Sequence, residues 1–326
     1  DTNHILKKKR WLYMKRIFYT AGTLLLLVFL LRFPEEALCA SRDGLNLWLN
    51  TLLPTLLPFI ILTGILIHTG MVEKLLKPLS PVWSHIFGIS PSGAYALLLG
   101  LLCGYPMGAK ITSDLYGCGR ISKREAEYLL TFTNHASPVF IYTYLIHICL
   151  NDRFHPWLIY GPLLLSSCLT MIFFRFFVYR NRTRTPDTFF SEKNKEPSAP
   201  GVTGTLLDAS IMNGFETITR LGGYILLFSI LSAFVRHYWN AGEMTEYLFL
   251  GALELTTGLH QLARSGFSPV LRYLCSMPMA AFGGVCILAQ TKSLLHKELS
   301  VLPYISAKCL NAAITAISAL VFLKVV

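Results

Sequence analysis

Apolar runs long enough to cross a membrane recur along most of this chain, and they restrict its fold more than any other feature. A transmembrane helix needs about 20 apolar residues. Hydrophobic residues make up 53% of the sequence and charged residues 14%, against about 45–50% and about 25% in soluble domains. We therefore expect an all-α polytopic membrane protein rather than a soluble enzyme with one anchor. The expected spans are residues 17–33, 45–69, 137–150, 156–179, 213–235, 273–291 and 302–324.

Basic residues indicate the topology of these spans. The chain carries 29 Lys and Arg against 18 Asp and Glu, a net charge of +11, and the excess lies mostly at the ends of apolar runs. Positive charge is retained on the cytoplasmic side, so we place the N-terminus and the basic segment 180–200 inside. Span 45–69 then runs inward and 213–235 outward. Three arginines would lie outside in this topology: Arg236, Arg264 and Arg272. We expect lipid rather than nucleic acid as the partner of this charge.

The N-terminal apolar run has two interpretations. It follows the basic residues 7–16, a pattern shared by signal peptides and signal anchors. Leu38-Cys39-Ala40 is an acceptable cleavage site, but the further spans favour a signal anchor.

The sequence lacks the common catalytic and metal-binding motifs. Its eight cysteines form no C-x-x-C pair and lie mostly in apolar stretches. G-x-S-x-G, H-E-x-x-H and G-x-x-x-x-G-K-[ST] are absent as well. We therefore expect neither an enzyme nor a cofactor, and we leave open a coupling cation of unknown identity.

Three apolar segments are too interrupted for plain lipid-facing helices: residues 91–110, 122–136 and 247–262. Backbone that leaves the helical pattern at membrane depth is tolerated only where protein or a water-filled cavity satisfies its polar groups. These segments therefore indicate a cavity. Residues 71–88 instead have the pattern of an amphipathic helix on the membrane interface, with a simple loop as the alternative.

Similar segments occur on either side of residues 180–200. Thr55–Leu66 resembles Arg220–Leu231, and Leu97–Lys110 resembles Leu248–Gln261. Each half contains a long helix, a hairpin with a break, an interrupted helix and a closing helix. Because the topology puts equivalent helices in opposite directions, we expect an inverted repeat with a site near the midplane, where the breaks meet.

The first break is the stretch G-Y-P-x-G-A-K, from Gly104 to Lys110. Pro106 donates no backbone hydrogen bond, and Gly104 and Gly108 permit left-handed dihedral angles, so a helix must stop here. The freed N–H groups and Lys110 attract an anion. We interpret this stretch, with Tyr105, as a hairpin tip that binds a carboxylate or phosphate. A surface turn with Lys110 extending to the interface is the alternative.

The second break is N-H-A-S-P, from Asn134 to Pro138. Pro138 disfavours helical geometry at Ser137 and removes a backbone hydrogen bond. Asn134 and Ser137 then offer polar groups that suit a small ligand or a coupling cation, with a helix N-cap as the alternative. We expect His135 to pack or hydrogen-bond rather than to carry a proton.

The third break is expected around Glu254, in G-A-L-E-L-T-T-G. A carboxylate in an apolar setting is costly unless it is paired or faces water. Glu254, followed by Thr256 and Thr257, is therefore our first candidate for contact with a substrate or a coupling ion. The alternative is a salt bridge to Lys110 or to an arginine.

The fourth break is the pair Gly283-Gly284, with Gln290 as a buried amide beyond it. Close helix packing at small residues explains the two glycines equally well. Glu216 and Arg220 are expected to pair with each other, because they lie four residues apart on one helix.

These four motifs, in this order, resemble a known family. G-Y-P-x-G-A-K, N-x-x-S-P-x-F, G-x-x-E-x-T-x-G and F-G-G-x-C-x-L-A-Q are similar to the sporulation integral membrane proteins of the YlbJ type. That family belongs to the Gate, or nucleoside-recognition, superfamily, which is related to concentrative nucleoside transporters. The resemblance covers residues 45–326 and implies two re-entrant hairpins and two interrupted helices around a ligand.

The resemblance also implies a function. It implies transport of dipicolinic acid, a small aromatic dicarboxylate, across the outer forespore membrane of an endospore-forming bacterium. Lys110 and the hairpin amides would hold the carboxylates, and Glu254 would couple an ion or act as a gate. The ring would be oriented by Asn134, Ser137 and Gln290.

Four regions follow from this reasoning. They are a basic N-terminus with the first transmembrane helix (1–40), a first Gate-like repeat (41–179), a cytoplasmic basic linker (180–205) and a second Gate-like repeat (206–326). A nucleoside or nucleobase transporter is the nearest alternative, and a non-transporting sporulation scaffold that recruits partners through the linker is another. A homo-oligomer stays open, because relatives of this fold can be oligomeric.

Overall fold

Helices form all the regular structure in the residues that this computed structural model describes, 2–69, 76–179 and 202–325. Those of the first half are α1 (Thr2–Arg32), α2 (Pro34–Leu47), α3 (Leu53–Thr69), α4 (Lys77–Phe87), α5 (Pro91–Cys103), α6 (Met107–Gly117), α7 (Lys123–Leu130), α8 (Pro138–Cys149) and α9 (Pro156–Phe173). Those of the second half are α10 (Val202–Tyr238), α11 (Glu243–Leu253), α12 (Leu255–Arg264), α13 (Pro269–Phe282), α14 (Gly284–Leu294) and α15 (Leu302–Val325).

Five helical stretches of the described residues are long and apolar enough to cross a membrane, and the bent pair α4–α5 would make a sixth. The five are Pro34–Ile67, Pro156–Val178, Gly204–Tyr238, Pro269–Leu294 and Leu302–Lys324. They confirm an all-α polytopic membrane protein. The expected span 17–33 falls on the longer helix α1 (Thr2–Arg32), which contains the apolar stretch Tyr19–Arg32. The expected span 137–150 is an apolar helix below the length of a span, because it begins only at Pro138.

The expected span 45–69 starts earlier, at Pro34. Pro34 lies in the first turn of α2 together with Glu35 and Glu36, where a missing N–H group and negative charge are both favourable. α2 then continues into α3 through a π-helical turn at Trp48–Leu52. Residues 34–44, which are more polar and were not part of the expected span, are therefore helical.

α4 is the described part of the amphipathic helix expected at 71–88, and it makes an angle of 79° with α5. A bend of this size allows one helix to follow a surface while the next enters the protein. The position of α4 on a membrane interface stays a prediction. Residues 71–75 lie outside the described residues, as does the expected linker 180–205 up to residue 201, and α10 begins at Val202.

The long helices of the two halves are antiparallel. At the start of α2, Glu36 Oε2 lies 3.0 Å from His237 Nδ1 near the end of α10. In α3, a Cβ on Gly64 would lie 3.4 Å from the Ser210 hydroxyl near the start of α10. The partners on α10 therefore move backwards along the chain as α2 and α3 move forwards.

The closing helices of the two halves, α9 and α15, are antiparallel as well. Gly161 packs against the ring of Phe322, and Ser166 donates a hydrogen bond of 3.1 Å to Asn311 Oδ1. Both pairs of equivalent helices thus have the opposite directions that an inverted repeat requires. The repeat itself stays a prediction.

Candidate functional site

Hairpin 1, formed by α5 and α6, turns at Gly104–Pro106. Gly104 has φ +76°, a left-handed conformation that favours glycine, and a Cβ there would lie 2.5 Å from the backbone nitrogen of Ser137. A Cβ on Gly108 would lie 2.2 Å from the carbonyl oxygen of Thr133. Hairpin 1 therefore packs its backbone directly against the break between α7 and α8.

Hairpin 2, formed by α11 and α12, turns at Glu254 in the same manner. Its two helices cross at glycines, since a Cβ on Gly258 would lie 2.1 Å from the Cα of Gly251. A Cβ on Gly284, whose φ is +90°, would lie 3.2 Å from the backbone nitrogen of Leu255. Hairpin 2 therefore packs against the break between α13 and α14.

The two halves meet through these breaks. Tyr105, at the tip of hairpin 1, donates a hydrogen bond of 3.1 Å to the carbonyl oxygen of Ala281, and its ring lies 3.0 Å from the Cβ position of Gly283. Tyr144 on α8, after the second break, likewise donates to the carbonyl oxygen of Thr256 in hairpin 2, at 3.0 Å. The four predicted breaks therefore form one continuous cluster, which we call the junction.

Asn134 is fully buried at the junction and links the halves through its amide. Its Nδ2 donates to Thr291 Oγ1 at 3.1 Å and to Tyr304 Oη at 2.8 Å. Its Oδ1 has no hydrogen-bond partner, and the hydroxyl of the neighbouring Thr133 has none either. Buried oxygens without partners are rare in native proteins and require an explanation. The prediction of Asn134 as a polar group in a break is consistent with this position.

Two expected ligand residues act as helix caps. Ser137 accepts a hydrogen bond of 3.1 Å from the N–H of Phe140, which is the N-cap that the sequence allowed as an alternative. Glu254 caps α12, accepting from the N–H groups of Thr256 at 3.1 Å and Thr257 at 2.7 Å. Both threonine hydroxyls also donate to Glu254 Oε2, at 2.6 and 2.7 Å. The carboxylate at this break is therefore satisfied within its own turn.

Lys110 lies one turn beyond the tip of hairpin 1, and its side chain is 8% exposed. Its Nζ lies 2.5 and 2.8 Å from the two carboxylate oxygens of Asp114 and 3.2 Å from Asn213 Oδ1. Lys110 therefore does not extend to an interface, so that alternative is wrong, and it does not pair with Glu254, so the lysine part of the alternative for Glu254 is wrong as well. Asp114, four residues after Lys110, could have been found from that spacing.

A cavity of about 330 Å³ lies beside this ion pair, between α3, α6, α10 and α14. It is partly open, and residues at the ends of α6 and α14, Gly117 and Leu294, are among those that line it. The polar groups that line it are Ser113, Asp114, Asn213, Arg220, Ser293 and His296. Arg220 pairs with Glu216 as expected and also donates to the carbonyl oxygen of Ser293 at 3.3 Å. α6 thus connects the junction, at its first residue, with a polar cavity at its end.

Gln290 is 6% exposed, as expected for a buried amide, but its Nε2 donates to Cys286 Sγ one turn earlier on the same helix, at 3.2 Å. The next residue, Thr291, is the one that meets Asn134. The fourth break therefore presents Thr291 rather than Gln290 to the break between α7 and α8.

Lys308 lies on α15 at the centre of the junction and is 2% exposed, and it was not among the site residues predicted from the sequence. Its Nζ lies 2.7 Å from Tyr105 Oη. A signal was available, because an ionisable residue inside an apolar span indicates a functional site. In the described part of the chain, no group of three or more His, Cys, Asp or Glu side chains is placed to hold a metal ion.

Residues 49–148, from the end of α2 to the end of α8, match the family model for Gate, described as nucleoside recognition. The chain is therefore an integral membrane protein in which residues 49–148, with hairpin 1 and the second break, are similar to the Gate family.

The chain is also similar to the sporulation integral membrane protein YlbJ of Bacillus subtilis (strain 168). The two are 24% identical over 320 residues, which cover 89% of this chain and 78% of the relative. These findings confirm the resemblance to the YlbJ-type membrane proteins that the four motifs indicated. No solved structure matches the chain significantly.

Proposed function

We propose that this chain is a secondary transporter that moves dipicolinic acid across a membrane during endospore formation, by alternating access. One observation carries the proposal: four helix breaks, two from each half, meet at one buried junction. Discontinuous helices that meet near the midplane are the way many secondary transporters build their sites. The similar protein of Bacillus subtilis is named as a sporulation integral membrane protein, which supports the setting.

The cavity supports the transport part of this proposal. The contacts of Tyr105 with Gly283 and of Tyr144 with Thr256 close the junction itself, while the cavity beside Lys110 is partly open. Alternating access requires these contacts to separate when the cavity closes. A volume of about 330 Å³ is at the small end of ligand sites, about 300–1,000 Å³, and suits a substrate with a single ring.

The charges around the cavity support an anionic substrate. Lys110 and Arg220 are both held near it, each by one carboxylate, Asp114 and Glu216 respectively. A substrate dianion would compete with those carboxylates for the two cations. The free Oδ1 of Asn134 is a further polar group, buried at the junction. In this proposal Lys110 and the amides of hairpin 1 hold the carboxylates.

The remaining predicted groups take positions around the junction in this proposal. Asn134, Ser137 and Gln290 orient the ring, and in this structure the Gln290 amide is hydrogen-bonded to Cys286. Glu254 couples an ion or acts as a gate. Its hydrogen bonds to Thr256 and Thr257 support the gate, because they tie the carboxylate to the turn that must move.

A nucleoside transporter is the second candidate, favoured by the description of the matching family as nucleoside recognition. The two substrates differ in charge, since dipicolinate is a dianion and uridine is neutral. The cations beside the cavity favour the dianion.

Thermal unfolding of the detergent-solubilised protein with each ligand tests the proposal. A ligand that binds only the folded state raises the apparent melting temperature in a concentration-dependent way. We expect a saturable increase with dipicolinate and none with uridine. An increase with uridine alone would support the nucleoside transporter. If proteoliposomes that contain the protein take up neither substrate, the proposal and its alternative are both contradicted.

A further inference from the structure

Lys308 is the basic group at the centre of the junction, and three acceptors that carry no charge surround its Nζ. They are Tyr105 Oη at 2.7 Å, the carbonyl oxygen of Ala281 at 3.1 Å and His135 Nδ1 at 3.4 Å. The aromatic faces of Tyr105 and Tyr304 also lie close, with ring centroids 4.5 and 5.9 Å from Nζ, within the range of cation–π interaction. Among the described residues, no carboxylate lies within ion-pair distance of this amine.

The hydrogen bonds of the neighbours identify Lys308 as the donor in each contact. His135 Nε2 lies 2.8 Å from the carbonyl oxygen of Phe132, which can only accept, so Nε2 carries the proton and Nδ1 is an acceptor. Tyr105 donates its hydroxyl proton to the carbonyl oxygen of Ala281, so its lone pairs face Lys308. An ammonium has three N–H donors and no acceptor. The site therefore offers one acceptor to each of the three protons of a lysine ammonium.

These acceptors come from elements that must separate during transport. Tyr105 belongs to the tip of hairpin 1, His135 to the break between α7 and α8, and Ala281 to the end of α13. The end of a helix carries partial negative charge on its free carbonyl groups. Lys308 on α15 thus binds both halves at once, through oxygen and nitrogen atoms of the kind that coordinate a small cation.

We propose that the Lys308 ammonium is a built-in cation that takes the place of a soluble coupling ion, so that the junction closes without sodium. The part of this inference that concerns the coupling ion rests on the proposed transport function, and the part that concerns closing of the junction does not. As a closing element, Lys308 acts by charge and not by filling space. The titratable side chains that face it are Tyr105, His135 and Tyr304.

Two other roles fit these observations less well. Direct binding of a substrate carboxylate would need a free N–H donor, and all three are already satisfied. A sodium ion at the junction would use the buried oxygens of Asn134 and Thr133 that have no partner. Dependence on sodium would therefore assign the coupling to those oxygens and overturn our proposal.

The first test measures unfolding of the full chain without any substrate. The apparent melting temperature of the wild type in sodium chloride should equal that in N-methyl-D-glucamine chloride at the same ionic strength. Lys308→Met, which fills a similar volume without charge, should melt several degrees lower. Lys324→Ala, an exposed lysine on the same helix, is the matched control and should melt like the wild type.

Rescue by a small amine isolates the role of the charge. Lys308→Ala leaves a space bounded by the three acceptors, and methylammonium should raise its melting temperature, whereas Lys308→Met should not respond. A specific stabilisation of the wild type by sodium, or a Lys308→Met variant as stable as the wild type, would overturn the proposal. If neither variant folds, the comparison of cations in the wild type still decides.

Proteoliposomes separate this inference from the proposed function. Uptake of dipicolinate should have the same rate with and without sodium on both sides of the membrane. Uptake that requires sodium contradicts the built-in cation but leaves transport intact. Absence of uptake contradicts the function, while the unfolding experiments on Lys308 keep their meaning.

Discussion

Lys110 and Asp114 balance the charge of the cavity at the scale of single residues. Because both carboxylate oxygens of Asp114 lie within 2.8 Å of the Lys110 ammonium, the cavity presents a neutral pair until an anion competes for the lysine. At the anion site predicted around Lys110, the carboxylate of Asp114 therefore competes with the substrate. Without substrate, this carboxylate holds the lysine side chain in place.

Replacing Lys110 by alanine tests its predicted role. Lys110→Ala removes one positive charge from the cavity while the carboxylate of Asp114 stays, so a dianion should bind less well. We expect the increase in melting temperature with dipicolinate, and its uptake, to be lost while the protein stays folded in the membrane. Lys292→Ala, which removes an exposed lysine on α14, should leave both unchanged. Normal uptake by Lys110→Ala would remove Lys110 from the site.

Glu254 combines two roles that substitutions can separate. Glu254→Ala removes the acceptor of the Thr256 and Thr257 N–H groups, and loss of such a cap costs about 0.5–2 kcal/mol. Glu254→Gln keeps an acceptor oxygen but not the charge. We therefore expect its melting temperature to lie close to that of the wild type, while its rate of dipicolinate uptake stays low. Thermal unfolding and uptake in the same preparations give both numbers. Wild-type uptake by Glu254→Gln would reduce Glu254 to a helix cap.

At the scale of helices, glycine decides how closely the hairpins approach their partners. The crossing of α11 and α12 places Gly258 against Gly251, and the crossing of hairpin 1 with the second break places Gly108 against the backbone of Thr133. In a membrane, where the hydrophobic effect does not drive helices together, close packing at small residues is a main source of stability.

Alanine substitutions test this packing. Gly258→Ala puts a Cβ 2.1 Å from the Cα of Gly251, so the helices of hairpin 2 must move apart, and we expect a lower melting temperature and loss of uptake. Gly223→Ala on α10, where nothing lies within 4 Å of the added Cβ, should be neutral or slightly stabilising. Equal melting temperatures for the two variants would contradict the tight crossing.

The breaks themselves could be predicted from sequence, but their partners could not. Gly104, Pro106 and Pro138 interrupt a helix by their own backbone chemistry, so their effect is local. The pairing of Asn134 with Thr291, by contrast, joins residues 157 positions apart. The same holds for Lys308, whose partners come from three other elements of the fold.

At the scale of the whole molecule, the two halves are joined by residues 180–201 and by antiparallel helix packing. The antiparallel contacts of α3 with α10 and of α9 with α15 support the inverted relation. They also position hairpin 1 against the broken helix of the second half, so neither half has a complete junction alone.

The linker distinguishes a transporter from a scaffold. Replacing residues 182–199 by a Gly/Ser segment of equal length removes their charge but keeps the connection between α9 and α10. A transporter should keep the dipicolinate-dependent increase in melting temperature, whereas a scaffold should lose its phenotype in sporulating cells. A linker of the same composition in scrambled order is the control. Loss of ligand binding by the Gly/Ser variant would contradict a purely connecting role.

The sequence by itself determined the class of protein, the break positions and the family resemblance, because hydropathy, glycine and proline act through local backbone and solvent physics. It did not determine which groups close the junction. Lys110 pairs with Asp114, Gln290 donates a hydrogen bond to Cys286, and Lys308 lies at the centre of the junction beside Tyr105. Only the tertiary structure decided these partners, since a buried polar group bonds whichever acceptor the packing of distant helices brings within reach.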